Sequence, residues 1–262
     1  MSRLTSGSIT CLLALAAVAC GGGDKAGDTA SATAGTAAAA TPGAAGPTGD
    51  ATVSGIVHLA GDVPKNPAID MSEEPACRSK HATAPLDSQY VSSNGGLGNV
   101  FVYVKAGLPA GATYAPPAEA VVIEQDGCEY RPRVFGVQAG QKIEIVNDDP
   151  VLHNIKAVPT KNRGFNISQP TAGMRTTRTF TTGEVMVPLQ CNVHGWMNAH
   201  VGVLSHPFFA TTTSDGTFSI KNLPPGTYTI EAWHEKLGTQ TTTVTVGAGE
   251  TKTADFNFSP KA

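Results

Sequence analysis

The sequence predicts an all-β protein made of two small sandwiches, and three observations carry that reading. Thr, Val, Gly and Pro are plentiful, with 29 Gly and 18 Pro among 262 residues, a balance that favours short strands and turns. Long Ala/Glu/Lys/Leu-rich helical periods are missing. Turn signals such as Asp215-Gly216 and Pro224-Pro225-Gly226 punctuate runs of alternating apolar and polar residues, as strands joined by tight turns require. The length suits one large or two small domains at roughly 150 residues each. Lys and Arg number 18 against 21 Asp and Glu, a net charge of −3. A nucleic-acid binder needs a basic surplus to neutralise phosphates, so no nucleic-acid partner is expected.

Residues 1–20 read as an export signal. Arg3 supplies the positive start, and Ile9 to Ala19 is an apolar stretch ending in small residues. It is shorter than the ~20 apolar residues a bilayer span needs and has the layout of a signal peptide. Its end, Leu15-Ala16-Ala17-Val18-Ala19-Cys20, resembles a bacterial lipobox, which implies lipidation of Cys20 and a membrane tether through that lipid. It also satisfies the small-x-small rule of ordinary cleavage, which would release a soluble exported protein. Residues 21–50 hold 23 Ala, Gly and Thr, and no Phe, Trp or Tyr occurs in the first fifty residues. Such a segment buries too little apolar surface to offset its ordering entropy, so a disordered linker is expected.

Five cysteines follow from this layout. Cys11 leaves with the signal and Cys20 takes the lipid, which leaves Cys77, Cys128 and Cys191 in an oxidising compartment. Cys77 stands in a polar loop and Cys128 follows the Asp126-Gly127 turn. A disulfide between them is the favoured reading, worth roughly 4 kcal/mol on the chain-entropy model. A metal site that uses Cys77 and His81 is the alternative. Cys191 is left over.

Cys191 lies in a loop between two β-rich runs, Val185 to Leu189 and Ala199 to Leu204. The loop reads Cys191-Asn192-Val193-His194-Gly195-Trp196-Met197. Upstream, the strand Ile143 to Val146 ends in Asn147-Asp148-Asp149-Pro150, and His153-Asn154 follows. One thiolate, two imidazoles and a thioether make the donor set of copper electron-transfer sites, soft enough for Cu(I) and imidazole-rich enough for Cu(II). Other readings are a buried structural thiol, a zinc site recruiting His200, and a Cys191–His194 nucleophile pair. Trp196 is either a docking residue for a redox partner or loop packing. His58, His206 and His234 read as ordinary surface or capped histidines.

The Cys-x2-His-x2-Met loop, the segment ending in His153-Asn154, and the run from Glu129 to Ile143 resemble the cupredoxins, the plastocyanin and amicyanin family, over residues 116–206. The resemblance implies a Greek-key sandwich that holds one copper ion through His153, Cys191, His194 and Met197. It also implies that Asn154 ties the two ligand loops together. Strands around Phe209 to Ile220, Thr227 to His234, Thr241 to Val246 and Thr253 to Phe258, with Val53-Ser54-Gly55-Ile56-Val57 far upstream, resemble the carboxypeptidase regulatory-like, transthyretin-like sandwich. Residues 51–115 and 207–262 are expected to complete that domain around an inserted 116–206. One enlarged cupredoxin with a C-terminal appendage is the alternative.

The functional expectation is a non-enzymatic copper protein of the bacterial cell envelope, passing single electrons between a donor and an acceptor redox protein. Four protein ligands leave little room for a substrate. Copper storage or delivery is the rival from another class, and a β scaffold without metal is the third reading.

Overall fold

The computed structural model describes residues 46–260. The export signal with Cys11 and Cys20, and the linker up to residue 45, lie outside them. The described end of the linker is packed rather than free. Gly46 N donates to Thr113 O, Gly49 N donates to Asn222 O, and the Tyr114 hydroxyl donates to Pro47 O.

The regular secondary structure of the described residues is almost entirely strand. It opens with β1 (Ala51–Leu59), β2 (Ser92–Ser93), β3 (Gly96–Leu97) and β4 (Phe101–Ala106), with one short helix, α1 (Pro75–Ser79), between β1 and β2. Nine strands follow without interruption: β5 (Val121–Asp126), β6 (Glu129–Arg131), β7 (Val134–Gln138), β8 (Lys142–Asn147), β9 (His153–Ala157), β10 (Phe165–Gln169), β11 (Met174–Thr179), β12 (Glu184–Gln190) and β13 (Asn198–Leu204). The last six are β14 (Phe209–Thr211), β15 (Thr217–Leu223), β16 (Gly226–His234), β17 (Gly238–Val246), β18 (Thr251–Thr253) and β19 (Phe256–Phe258). Among the described residues no helix is long and apolar enough to cross a membrane.

Four sheets of the described residues form two sandwiches. One sandwich joins the two ends of the described chain. Its first sheet runs β15-β1-β3-β2, with β18 and β19 also on β1, and its second runs β14-β4-β16-β17. The other sandwich, β10-β9-β12-β13-β7 over β11-β8-β5-β6, is inserted between β4 and β14. The final strands are no appendage, because they pair with β1 and β4. The period-2 pattern explains the packing. In β15 Phe218 and Ile220 point inward, in β17 Val244 and Val246 do, and they meet Val53, Val102 and Ile230 in one core. In the inserted sandwich Ile123, Ile143 and Ile145 face Val187, Leu189, Val201 and Val203.

The two sandwiches touch along Phe101, Tyr103 and Phe209 on one side and Val134 and Leu204 on the other. Two glycines permit the approach. A Cβ on Gly202 would lie 2.4 Å from a Phe101 ring carbon, and one on Gly136 would lie 2.4 Å from a Phe209 ring carbon. Arg133 adds a polar clamp, pairing with Glu235 at 2.5 Å and Asp87 at 2.5 Å. The inserted sandwich is therefore held in a fixed relation to its host, and one host segment reaches its functional end.

Candidate metal centre

The loops at one end of the inserted sandwich bring His153, Cys191 and His194 together. All three are buried, and one ligand atom from each lies within 4.8 Å of the others. Local structure dictates this meeting. Asn147 ends β8, accepts from Asp149 N at 2.9 Å, and donates to Val151 O and Gln169 O. That bracket shapes the turn that delivers His153 as the first residue of β9. On the other strand pair, the β12–β13 connection closes on itself: Cys191 N donates to Met197 O and Met197 N to His194 O. Cys191, His194 and Met197 are thus fixed by one tight loop.

Each donor is oriented by a neighbour. His153 Nε2 donates to the Asp149 carboxylate at 2.9 Å, which fixes the tautomer and leaves the Nδ1 lone pair facing inward. His153 Nδ1 then lies 2.9 Å from His194 Nδ1, and His194 Nδ1 lies 3.9 Å from Cys191 Sγ. Metal–ligand bonds of about 2.0–2.3 Å place neighbouring donors roughly 3–4 Å apart, so the observed spacing fits one small ion. Cys191 Sγ also accepts from His194 N at 3.3 Å. Asn154 Oδ1 accepts from Asn192 N at 2.5 Å, and its amide donates to Asn166, so Asn154 bridges the two ligand loops. Met197 is buried in the same core as Cys191.

The electrostatics favour a thiolate. Burial alone would push the Cys191 thiol up, but hydrogen bonds from His153, His194 and the backbone outweigh it and bring it down to about 5. Burial likewise opposes charge on Asp149. The His153 ring, the Cys128 and Gly127 amides and Lys80 overcome it and hold the carboxyl at about 2. For His153, burial lowers the pKa, and Asp149 followed by Cys191 reverses the sign and leaves it raised. Two convergent imidazoles and a readily ionised sulfur form a donor set that suits first-row ions such as copper or zinc.

The other residues singled out from the sequence sit as follows. Cys77 and Cys128 form a disulfide, and Cys77 lies in α1 rather than in a plain loop. His81 Nε2 donates to Gly127 O at 2.7 Å and stands apart from the ligand cluster. The His200 ring packs on Trp233 of the host sandwich, with ring centroids 5.1 Å apart, away from the cluster a zinc reading would need. Trp196 lies 5.1 Å from the His194 ring and donates from Nε1 to Cys128 O. It is partly exposed, in a cleft of about 350 Å³ shared with Asp70, Glu73, Glu74 and Val193. His206 and His234 are buried and accept local backbone N–H groups at Nδ1.

Two groups of the site are not evident in the sequence. Asp149 reads there only as part of a polar turn, although its place four residues before His153 is a usable signal. The disulfide sulfurs lie beside His194, and nothing local in the chain points to that.

Residues 195–259 match the carboxypeptidase regulatory-like domain family. The matched stretch takes in β13, whose hydrogen bonds go to β7 and β12 of the inserted sandwich, and leaves out β1 and β4. No curated protein is similar to the chain in sequence. Among solved structures, the chain is similar to a purple cupredoxin from Nitrosopumilus maritimus at 22% identity, covering 32% of this chain and 98% of that one with a TM-score of 0.28. It is similar to the reduced Cu(I) form of an amicyanin mutant at 21% identity, covering 34% of this chain and 91% of that one with a TM-score of 0.29. A copper-containing nitrite reductase from Thermus scotoductus shares 21% identity over 39% of this chain and 26% of that enzyme, with a TM-score of 0.30.

Proposed function

We propose that this chain binds one copper ion through His153, Cys191, His194 and Met197 and passes single electrons between two redox proteins of the bacterial cell envelope. The convergence of two imidazole Nδ1 atoms on a thiol already brought down to about 5 carries this reading. Bound copper supplies the Cu(II)/Cu(I) couple. The chain's own part is to hold the donors still: Asp149 fixes His153, Asn154 ties the loops, and the Cys191–Met197 backbone pair closes the third side. Small rearrangement on changing oxidation state is what rapid electron exchange needs. With all four positions filled by protein, the site has no place for a substrate, and the chain is read as a carrier rather than an enzyme.

Trp196, partly exposed and in contact with His194, is the candidate docking point for donor and acceptor. Two exposed apolar side chains adjoin the ligands in sequence: Val193, 45% exposed, beside His194, and Leu152, 44% exposed, beside His153. Export with lipid attachment at Cys20 would place the carrier on a membrane surface.

The test is the visible spectrum of the full chain titrated with Cu(II), beside Cys191→Ser. The expected result is an intense thiolate-to-copper band that saturates at one equivalent and vanishes in the variant. Equal, weak absorption from both chains would reject the reading. Electron self-exchange then separates carrier from delivery protein, because a delivery protein hands over the metal rather than the electron.

A further inference from the structure

The β12–β13 loop presents a paradox of burial. Asn192, Val193 and Gly195 are exposed, yet His194 between them is only 1% exposed. Trp196 of the same loop covers one side of the ring, and the rest of the cover comes from elsewhere in the chain. Cys77 Sγ and Glu74 Oε1 each lie 3.9 Å from His194 Nε2, the ring nitrogen facing away from His153. Both belong to the 60–91 connection between β1 and β2, two strands of the host sandwich.

That connection is fastened at several points. Cys77 is bonded to Cys128, His81 donates to Gly127 O at 2.7 Å, and Lys80 pairs with Asp126 at 3.1 Å and Asp149 at 3.3 Å. Ile69 and Met71 enter the core of the inserted sandwich. The segment also closes on itself, with Ile69 N donating to Pro85 O and Asp87 N to Pro67 O. The result bears on both imidazoles. One Asp149 oxygen meets Lys80 while the other accepts from His153 Nε2, and Cys77 sits against Nε2 of His194.

We propose that residues 60–91 are a disulfide-fastened cover, supplied by the host sandwich, that positions His194 and shuts the outer edge of the site against water and exchanging ligands. The host sandwich thereby gains a role at the site. It carries the cover and, through the Phe101 and Arg133 contacts, holds it in register with the ligand loops. Any consequence for metal exchange rests on the copper reading; the shielding of His194 does not.

The shielding is tested without metal. The full apo chain and Cys77→Ala/Cys128→Ala are treated with diethyl pyrocarbonate, and modification of each histidine is followed by mass spectrometry, with His58 as internal reference. Removing the cross-link from a segment that must open locally is expected to speed His194 modification by about tenfold or more, while His206, buried against Phe208 of the host core, stays protected. An unchanged His194 rate with His206 protected overturns the proposal. If His206 also becomes reactive, the variant has lost its fold, and His81→Ala, which loosens the cover and leaves the disulfide, decides instead: faster His194 modification supports the cover, and an unchanged rate rejects it.

A second measurement addresses metal exchange. Chains loaded with Cu(I) and held under ascorbate, which leaves disulfides intact, are challenged with bathocuproine disulfonate. Faster transfer from the cover variants is expected, again by about tenfold. Loss of shielding with equal transfer would confine the cover to positioning. A native chain that takes up no copper would sink the copper reading while the shielding result stands on its own.

Discussion

The two sandwiches use buried histidine in opposite ways. In the inserted sandwich His153 and His194 face each other across 2.9 Å, with Asp149 behind one ring and the disulfide behind the other. In the host sandwich His206 packs on Phe208 with ring centroids 5.8 Å apart, and His234 packs between Tyr90 and Phe258. Burial is comparable and the outcome is reversed. With Asp149 and Cys191 as partners His153 is raised, whereas burial drags His206 and His234 down to about 4. Partners, rather than burial, separate a candidate ligand from a packing residue.

The largest expected effect removes the partner that makes the difference. Cys191→Ser should abolish the thiolate-to-copper band altogether, while a change to a histidine of the host sandwich, His206→Asn, should leave it intact. Asp149→Asn comes next. The amide can still accept from His153 but no longer carries charge, and loss of such an outer partner typically lowers metal affinity between about 10- and 100-fold. A competition titration against a chelator of known affinity reads this directly, and an unchanged constant would remove Asp149 from the site.

Acid titration sharpens the comparison from the other side. In the folded chain His206 and His234 stay neutral down to about pH 4, while in the unfolded chain they protonate near 6.5. Their effect on stability is therefore absent above pH 6.5 and grows as the pH falls toward 4, up to about 3 kcal/mol for each histidine. Urea unfolding of the apo chain at pH 7 and pH 4.5 should show the drop. His206→Asn/His234→Asn keeps an acceptor near Nδ1 and should flatten that slope.

The smallest effect probes the seam between the sandwiches. Gly202→Ala would drive a methyl against the Phe101 ring, and overpacking of this kind costs about 1–3 kcal/mol. Thermal unfolding should shift down accordingly, with the copper band unaltered if the seam only positions the cover.

What was legible in the sequence was local. Cys191, His194 and Met197 sit within seven residues of one loop, so their proximity could be read from spacing alone. His153 is announced by the strand and polar turn before it, and turn dipeptides with period-2 patterning announce the strands. The rest is carried by contacts between residues distant in sequence. Cys77 meets His194 from 117 residues away, and no periodicity in the polar stretch 60–91 says which surface it will lie on. Asp149 reaches the Gly127 and Cys128 amides only because β5 and β8 run side by side. The end of the linker, 46–50, finds partners at Thr113 and Asn222 that its Gly- and Pro-rich composition could not signal.

The central claim is that His153, Cys191 and His194 bind one metal ion together. X-ray absorption at the copper edge of the full chain loaded with one equivalent tests it most directly. The account predicts one short copper–sulfur distance with two imidazole nitrogens in the same shell, and loss of the sulfur in Cys191→Ser. A shell of oxygen and nitrogen alone, identical in both chains, would contradict it.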